Sequence, residues 1–122
     1  LYRSVVEGVE EAIFVVGVES GGVFRFITSN PAHEHATGLS REQLAGATPD
    51  EILPPDAAAH VKRQYRACLQ AGRAIRYHET LDLPAGRGHW HTTLTPIRDE
   101  SGDFALIAGV AVRLEEERKD EA

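Results

Sequence analysis

Six histidines in 122 residues are the first chemistry this chain offers, because paired imidazoles can hold a metal ion. His33 and His35 stand two apart in a segment read as helix, which turns them to different sides and leaves both as surface residues. His89 and His91 stand two apart in a strand and share one face, opposite Trp90, Thr92 and Leu94. With Asp82 or His78 beside them they could assemble a zinc site, although the bland reading is a solvated strand face, and no metal site is assigned. Cys68 is the single cysteine, so there is no internal disulfide and no multi-cysteine zinc site. It falls on the apolar face of a helix, where packing is the expected role and redox sensing the alternative.

Catalytic patterns are sparse. Glu7, Glu10 and Glu11, and Glu115 to Glu117, are charge runs of the kind that form solvated helix faces. Ser20, Ser29, Ser40 and Ser101 lie in turns or caps, the glycines are dispersed, and neither a nucleophile elbow nor a phosphate loop is present. An enzyme would need two ionisable side chains converging in one pocket, and Glu79 is the only carboxylate whose strand position could face inward. The expectation is therefore a domain that is not itself an enzyme.

The bulk composition bounds the rest. The length suits one domain with one core. A formal charge of -6 with scattered cations, apart from Lys62, Arg63 and Arg66, argues against nucleic acid as a direct partner. No apolar run reaches the ~18 residues of a membrane span and no signal-peptide pattern is visible, so a cytoplasmic location without membrane contact is expected for this segment.

The elements follow from periodicity and punctuation. Residues 1-12 place Leu1, Val5 and Val9 on one side of a leading helix. The runs 13-18 and 23-28 predict a hairpin turning at Gly21-Gly22. Helical punctuation follows: Asn30-Pro31 as cap and first residue with Gly38 as stop, Ser40 with Gln43 as a capping box ended by Gly46, and Thr48 to Glu51 as a second box. Asp56 is expected to cap a longer helix, 57-71, with Val61, Tyr65, Cys68 and Leu69 on one face and Gly72 at its end. Three strands, 74-83, 88-97 and 104-114, close the domain as a meander, because their connections are too short for parallel crossovers. The fold class is α+β on an antiparallel sheet.

In this order the residues resemble the PAS family. The run from Asn30 through Thr37-Gly38, Leu39-Ser40, Glu42-Gln43-Leu44 and Gly46 resembles the family's N-x-A-x-x-x-x-T-G-[YF]-[ST]-x-E-E-L-x-G helix pair. Trp90, Thr92 to Ile97, Asp99, Gly102 and Gly109-Val110 resemble its W-x-x-x-x-x-P-[IV]-x-D-x-x-G and G-x-x-x-D-[IV]-T ending, so that the likeness spans residues 3-114. It implies a five-stranded antiparallel sheet flanked by short helices and one longer helix, with a leading helix at 1-12, the PAS-like domain at 13-114 and the start of an exit helix at 115-122. Two departures stand out. Arg113-Leu114-Glu115 replaces the Asp-Ile-Thr of many members, and Ala47-Thr48-Pro49 follows Gly46 where flavin-binding light sensors carry a reactive cysteine, which excludes a flavin photoadduct there.

The resemblance further implies a sensory domain that binds a small ligand or partner and passes its state through terminal helices to an effector in the same chain, such as a histidine kinase or cyclic-dinucleotide synthase. The pocket candidates are Val61, Tyr65 and Cys68 from the helix and Tyr77, Leu81, Trp90, Thr92, Leu94, Ile107 and Ala111 from the strands. Ala111 stands where flavin-binding relatives carry a polar amide. Haem-binding members take a ligand from the long helix, which makes His60 the haem candidate. At about 100° per residue, however, it sits roughly 120° from the apolar stripe and reads as a solvated first-turn residue. The sequence names no cofactor. Homodimerisation is expected through Leu1, Val5 and Val9 and through Ala108, Val110 and Val112 on the outer sheet face, and the alternative function is a ligand-free interaction module.

Overall fold

A computed structural model describes residues 11–114. Five strands, β1 (Glu11–Glu19), β2 (Val23–Ser29), β3 (Ile75–Leu83), β4 (Gly86–Arg98) and β5 (Phe104–Arg113), form one sheet in the order β2-β1-β5-β4-β3. Every neighbouring pair is antiparallel. Between β2 and β3 run four helices, α1 (Pro31–Thr37), α2 (Arg41–Leu44), α3 (Pro49–Ile52) and α4 (Pro55–Ala71). This is the expected α+β architecture, one sheet with helices over one face.

The local punctuation acts as its residue types require. Gly21 and Gly22, both at φ 79, turn β1 into β2 in a conformation that side chains with a Cβ rarely adopt. Asn30 Oδ1 accepts from His33 N at 2.9 Å and Gly38 closes α1 in the left-handed conformation. Ser40 with Gln43 completes a capping box, and at the second box Thr48 N donates to Glu51 Oε1 at 2.8 Å.

Two boundaries differ from the sequence reading. Residues 1-10 of the proposed leading helix lie outside the described residues, as does the exit tract 115-122, but Glu11 and Ala12 belong to β1. Ala12 pairs with Ala111 and is buried, so long-range strand pairing overrides a local helical pattern. The long helix starts at Pro55 after Pro54, with Asp56 in the first turn instead of at the cap.

The core lies between the sheet and the helices. Ala12, Phe14 and Val16 from β1, Trp90, Thr92 and Leu94 from β4, and Ile107 and Ala111 from β5 point inward by alternation. Val61, Tyr65 and Cys68 of α4 meet them, and Tyr65 packs against Phe24 with ring centroids 5.3 Å apart. Phe14 lies opposite Gly109, where an added Cβ would stand 2.1 Å from the Phe14 ring. The missing side chain lets the phenyl ring lie flat on β5.

Candidate functional site

A cavity of about 60 Å³ remains between the sheet and the helices. All five strands reach it, through Ala12 and Phe14, Phe26, Tyr77, Glu79, Leu81 and Leu83, Trp90 and Ala111; the helical side supplies His33, Thr37, Leu44, Val61 and Tyr65, with Leu39 and Leu53 from the loops. Most of this lining is apolar, as in pockets that fix a small ligand with few polar groups.

Of the sequence candidates, Val61, Tyr65, Tyr77, Leu81, Trp90 and Ala111 line the cavity. Thr92, Leu94, Ile107 and Cys68 are buried but lie in the packed layer away from its wall. Cys68 Sγ is 3.6 Å from Leu94 O, and burial pushes its thiol pKa up, which suits packing better than redox reactivity. Phe14, Phe26 and Leu44 were missed as lining residues, although strand alternation in 13-18 and 23-28 carried the signal for the two phenylalanines.

His33 is the first correction among the polar groups, for it is buried instead of lying at the surface, while His35 is exposed as expected. The cause is the way α1 is strapped down. Asn30 Oδ1 also accepts from Ile13 N at 2.9 Å, and Asn30 Nδ2 donates to Glu11 O at 3.0 Å, which ties the start of α1 to β1. At the other end Ala85 N donates to Thr37 O at 3.0 Å, and a Cβ on Gly38 would stand 2.8 Å from Ala85 N. Between these anchors the His33 ring is pressed against Phe14, with centroids 5.4 Å apart. Burial lowers its pKa to about 4, partly offset by the charge of Glu34, so the imidazole is neutral near pH 7.

His60 is the second correction, and it turns on Glu79. Glu79 does face inward, its side chain only 6% exposed, and its Oε2 accepts from Thr92 Oγ1 at 2.7 Å. His60 Nε2 lies 2.8 Å from Glu79 Oε1, so His60 is a half-buried partner of β3 and not a solvated residue. Its side of α4 overlies β3, a tertiary placement that a helical wheel does not contain. Glu79 lines the cavity, whereas His60 lines a neighbouring surface groove of about 340 Å³ with Pro54, Asp56 and Asp82. The pair thus forms part of the partition between the two spaces. As packed, the cavity has no room for a porphyrin, and His60 is not on its wall.

Two polar atoms of the cavity's lining residues, His33 Nδ1 and Trp90 Nε1, are buried without a hydrogen-bond partner among the described residues. Gly88 lets the indole settle there, since a Cβ at that position would stand 2.7 Å from Trp90 Nε1. On the other face of the sheet, His78 and His91 form a cross-strand ring pair with centroids 5.0 Å apart, His89 Nδ1 is 2.9 Å from Thr80 Oγ1, and Asp82 is held by Arg87. Among the described residues no cluster of three or more metal-ligating side chains forms, and no helix is long and apolar enough to cross a membrane.

The comparisons place this geometry among known folds. Residues 6–119 match the family model described as the PAS fold. A sensory box histidine kinase from Vibrio cholerae superposes with a TM-score of 0.75 at 15% identity, covering 95% of this chain and 90% of that one. The PAS domain of a Colwellia psychrerythraea protein gives 0.71 at 17% identity, with 95% and 98% covered. An RNA-binding light-oxygen-voltage receptor gives 0.69 at 19% identity; 93% of this chain is covered but only 32% of the receptor, so the chain spans about a third of that protein. No curated protein matches the chain by sequence.

Proposed function

The chain belongs to the PAS family, a family of sensory and signalling modules, and from that premise we propose that it takes a small ligand into the cavity beneath α1 and α4 and relays occupancy to an effector domain in the same protein. The observation that carries this reading is the apolar cavity whose lining residues hold two buried polar atoms, Trp90 Nε1 and His33 Nδ1, with no partner among the described residues. Buried polar groups ordinarily find partners, and a ligand is the partner such a cavity admits. The ligand contacts we propose are Val61, Tyr65, Tyr77, Leu81, Trp90 and Ala111, joined by His33 and Phe14.

The relay we propose runs along β5. Ala111 lines the cavity, and two residues later the Arg113 guanidinium lies 5.6 Å from the centroid of the Trp90 ring and 3.5 Å from Arg87 O. Leu114 N donates to His89 O at 2.8 Å. A ligand that moves the indole therefore acts on the last described residues before the exit segment. This arrangement takes the place of the acidic link common in the family, and it biases a two-state packing instead of forming a new bond. A cytoplasmic effector such as a histidine kinase fits this role. Glu79 and His60 meet, but not inside one pocket, since Glu79 lines the cavity and His60 the neighbouring groove. Both carboxylate oxygens are already occupied, by His60 and Thr92, so we read the pair as structural.

Native mass spectrometry with a parallel absorbance spectrum tests the sensor reading. A co-purifying mass, or saturable stabilisation by a small molecule that is lost on filling the cavity with Ala111→Phe, supports it; a clean mass with no stabilisation by any compound of a broad metabolite panel contradicts it.

A second reading, the ligand-free dimerisation module, is favoured by the outer sheet face. Ile13 and Val112 are 40% and 39% exposed there, and Ile13 pairs with Val110. The proposed partner surface from Leu1, Val5 and Val9 lies outside the described residues. Sedimentation of Ile13→Lys with Val112→Lys discriminates, since a dimer built on this face dissociates and a monomer is unaffected.

A further inference from the structure

Resting on the reading of the cavity as a ligand site, we infer that its occupant is a small, uncharged, mostly apolar molecule that accepts a hydrogen bond from the Trp90 indole N–H and makes a second one to His33 Nδ1.

Charge is set by what the lining contains. Among the described residues Glu79 is its one ionisable carboxylate, and neither lysine nor arginine lines the cavity. An anionic ligand would meet that carboxylate at low dielectric with no cation to pair, which costs free energy in desolvation and repulsion alike. A cationic ligand would compete for oxygens that Thr92 and His60 already occupy. His33 is neutral near pH 7 because burial lowers its pKa to about 4, so it too attracts no anion.

Polarity is set by the two unpartnered atoms. Trp90 is 3% exposed and His33 8% exposed, and each lines the cavity. The indole N–H can only donate, so the ligand must bring an acceptor; the neutral imidazole offers one donor and one acceptor nitrogen, so a hydroxyl or an N–H on the ligand can meet it. Lactams, small amides and hydroxyketones carry both functions. Size follows from the cavity: about 60 Å³ lies below the roughly 150 Å³ void that takes a benzene ring, which limits the ligand to a few heavy atoms or one small ring with slight side-chain movement. Neither atom is open to water as packed, so a ligand that makes both bonds reaches them by the same small side-chain movement.

The chain has one tryptophan, so its indole N–H gives one unambiguous signal in a proton–nitrogen correlation spectrum of the ¹⁵N-labelled 122-residue protein. The probes are 2-pyrrolidinone, which brings an acceptor and a donor, cyclopentane, of like shape without either, and propionate, an anion. The expected result is a saturable downfield movement of the indole proton with 2-pyrrolidinone, tighter binding of it than of cyclopentane, and no response to propionate. Trp90→Phe should weaken 2-pyrrolidinone about tenfold more than it weakens cyclopentane, because both lose the same apolar wall and only the lactam loses a hydrogen bond; the wild-type indole signal decides the matter if that variant does not fold. Movement of the Val61 and Leu81 methyl signals with an unmoved indole proton, or equal binding of cyclopentane, overturns the inference while leaving the cavity a ligand site. Tighter binding of propionate overturns it as well. Silence of every cavity signal toward all three probes overturns the inference together with the sensor reading beneath it.

Discussion

His60 Nε2 and Glu79 Oε1 stand 2.8 Å apart, joining the second turn of α4 to the middle of β3, while the other Glu79 oxygen accepts from the buried hydroxyl of Thr92 on β4. One carboxylate therefore clamps a helix and two strands at the edge of the cavity. Removing it strands a hydroxyl that is 1% exposed. Glu79→Ala is expected to cost roughly 2–3 kcal/mol in urea unfolding, the range for losing hydrogen bonds to a charged group, and Glu79→Gln about half as much because an acceptor for Thr92 remains. A loss below about 0.5 kcal/mol for the alanine variant would show that the clamp carries no weight.

The buried His33 makes stability depend on acid in a defined window. Its pKa falls from 6.5 to about 4 on folding, chiefly by burial, with Glu34 opposing. Between those values the unfolded chain binds a proton that the native state refuses, so stability declines as pH falls through the window and this group adds no further loss below it. The full effect is on the order of 3 kcal/mol. Urea unfolding at pH 7 and pH 4.5 should show a steeper decline for the wild type than for His33→Leu; parallel declines would remove His33 from the account.

Gly109 and Phe14 form a matched pair across β5 and β1. Because a Cβ at 109 would stand 2.1 Å from the Phe14 ring, Gly109→Ala is expected to destabilise by about 2 kcal/mol or more through overpacking. Adding Phe14→Leu should recover part of that loss, a coupling of about 1 kcal/mol in a double-mutant cycle. Strict additivity would mean that the strain is relieved elsewhere.

Cys68 should be silent toward thiol reagents in the native state. It is fully buried, and burial holds its thiol pKa above the ordinary value, so the nucleophilic thiolate is scarce. Iodoacetamide labelling should be slow in buffer and fast in denaturant. Rapid native labelling would restore the redox-sensing alternative.

Much of the fold was legible because its signals act over a few residues. The Asn30, Ser40 and Thr48 caps and the Gly38 and Gly72 stops bond or turn within one helical turn, and each does in space what its local pattern required. Alternation alone placed Trp90, Thr92 and Leu94 on one face, because a strand offers only two. It could not divide that face into cavity wall and packed layer; Trp90 falls to the first and Leu94 to the second according to what α1 and α4 place above them.

The polar chemistry was decided by tertiary contacts. His33 is buried because Asn30 and Gly38 fasten α1 to β1 and to the β3–β4 turn, contacts that span up to 48 residues of sequence between Thr37 and Ala85. His60 finds Glu79 nineteen residues away, on a side of the helix that the apolar stripe marks as outward. Glu11 and Ala12 belong to β1 because Ala12 has Ala111 to pair with. The sequence by itself determined the family, the order of the elements and which strand faces turn inward, since those follow from periodicity and short-range bonds. Which polar groups lie buried, which of them are paired, and how much space is left between sheet and helices depend on distances between segments far apart in the chain, and only the packed structure sets those.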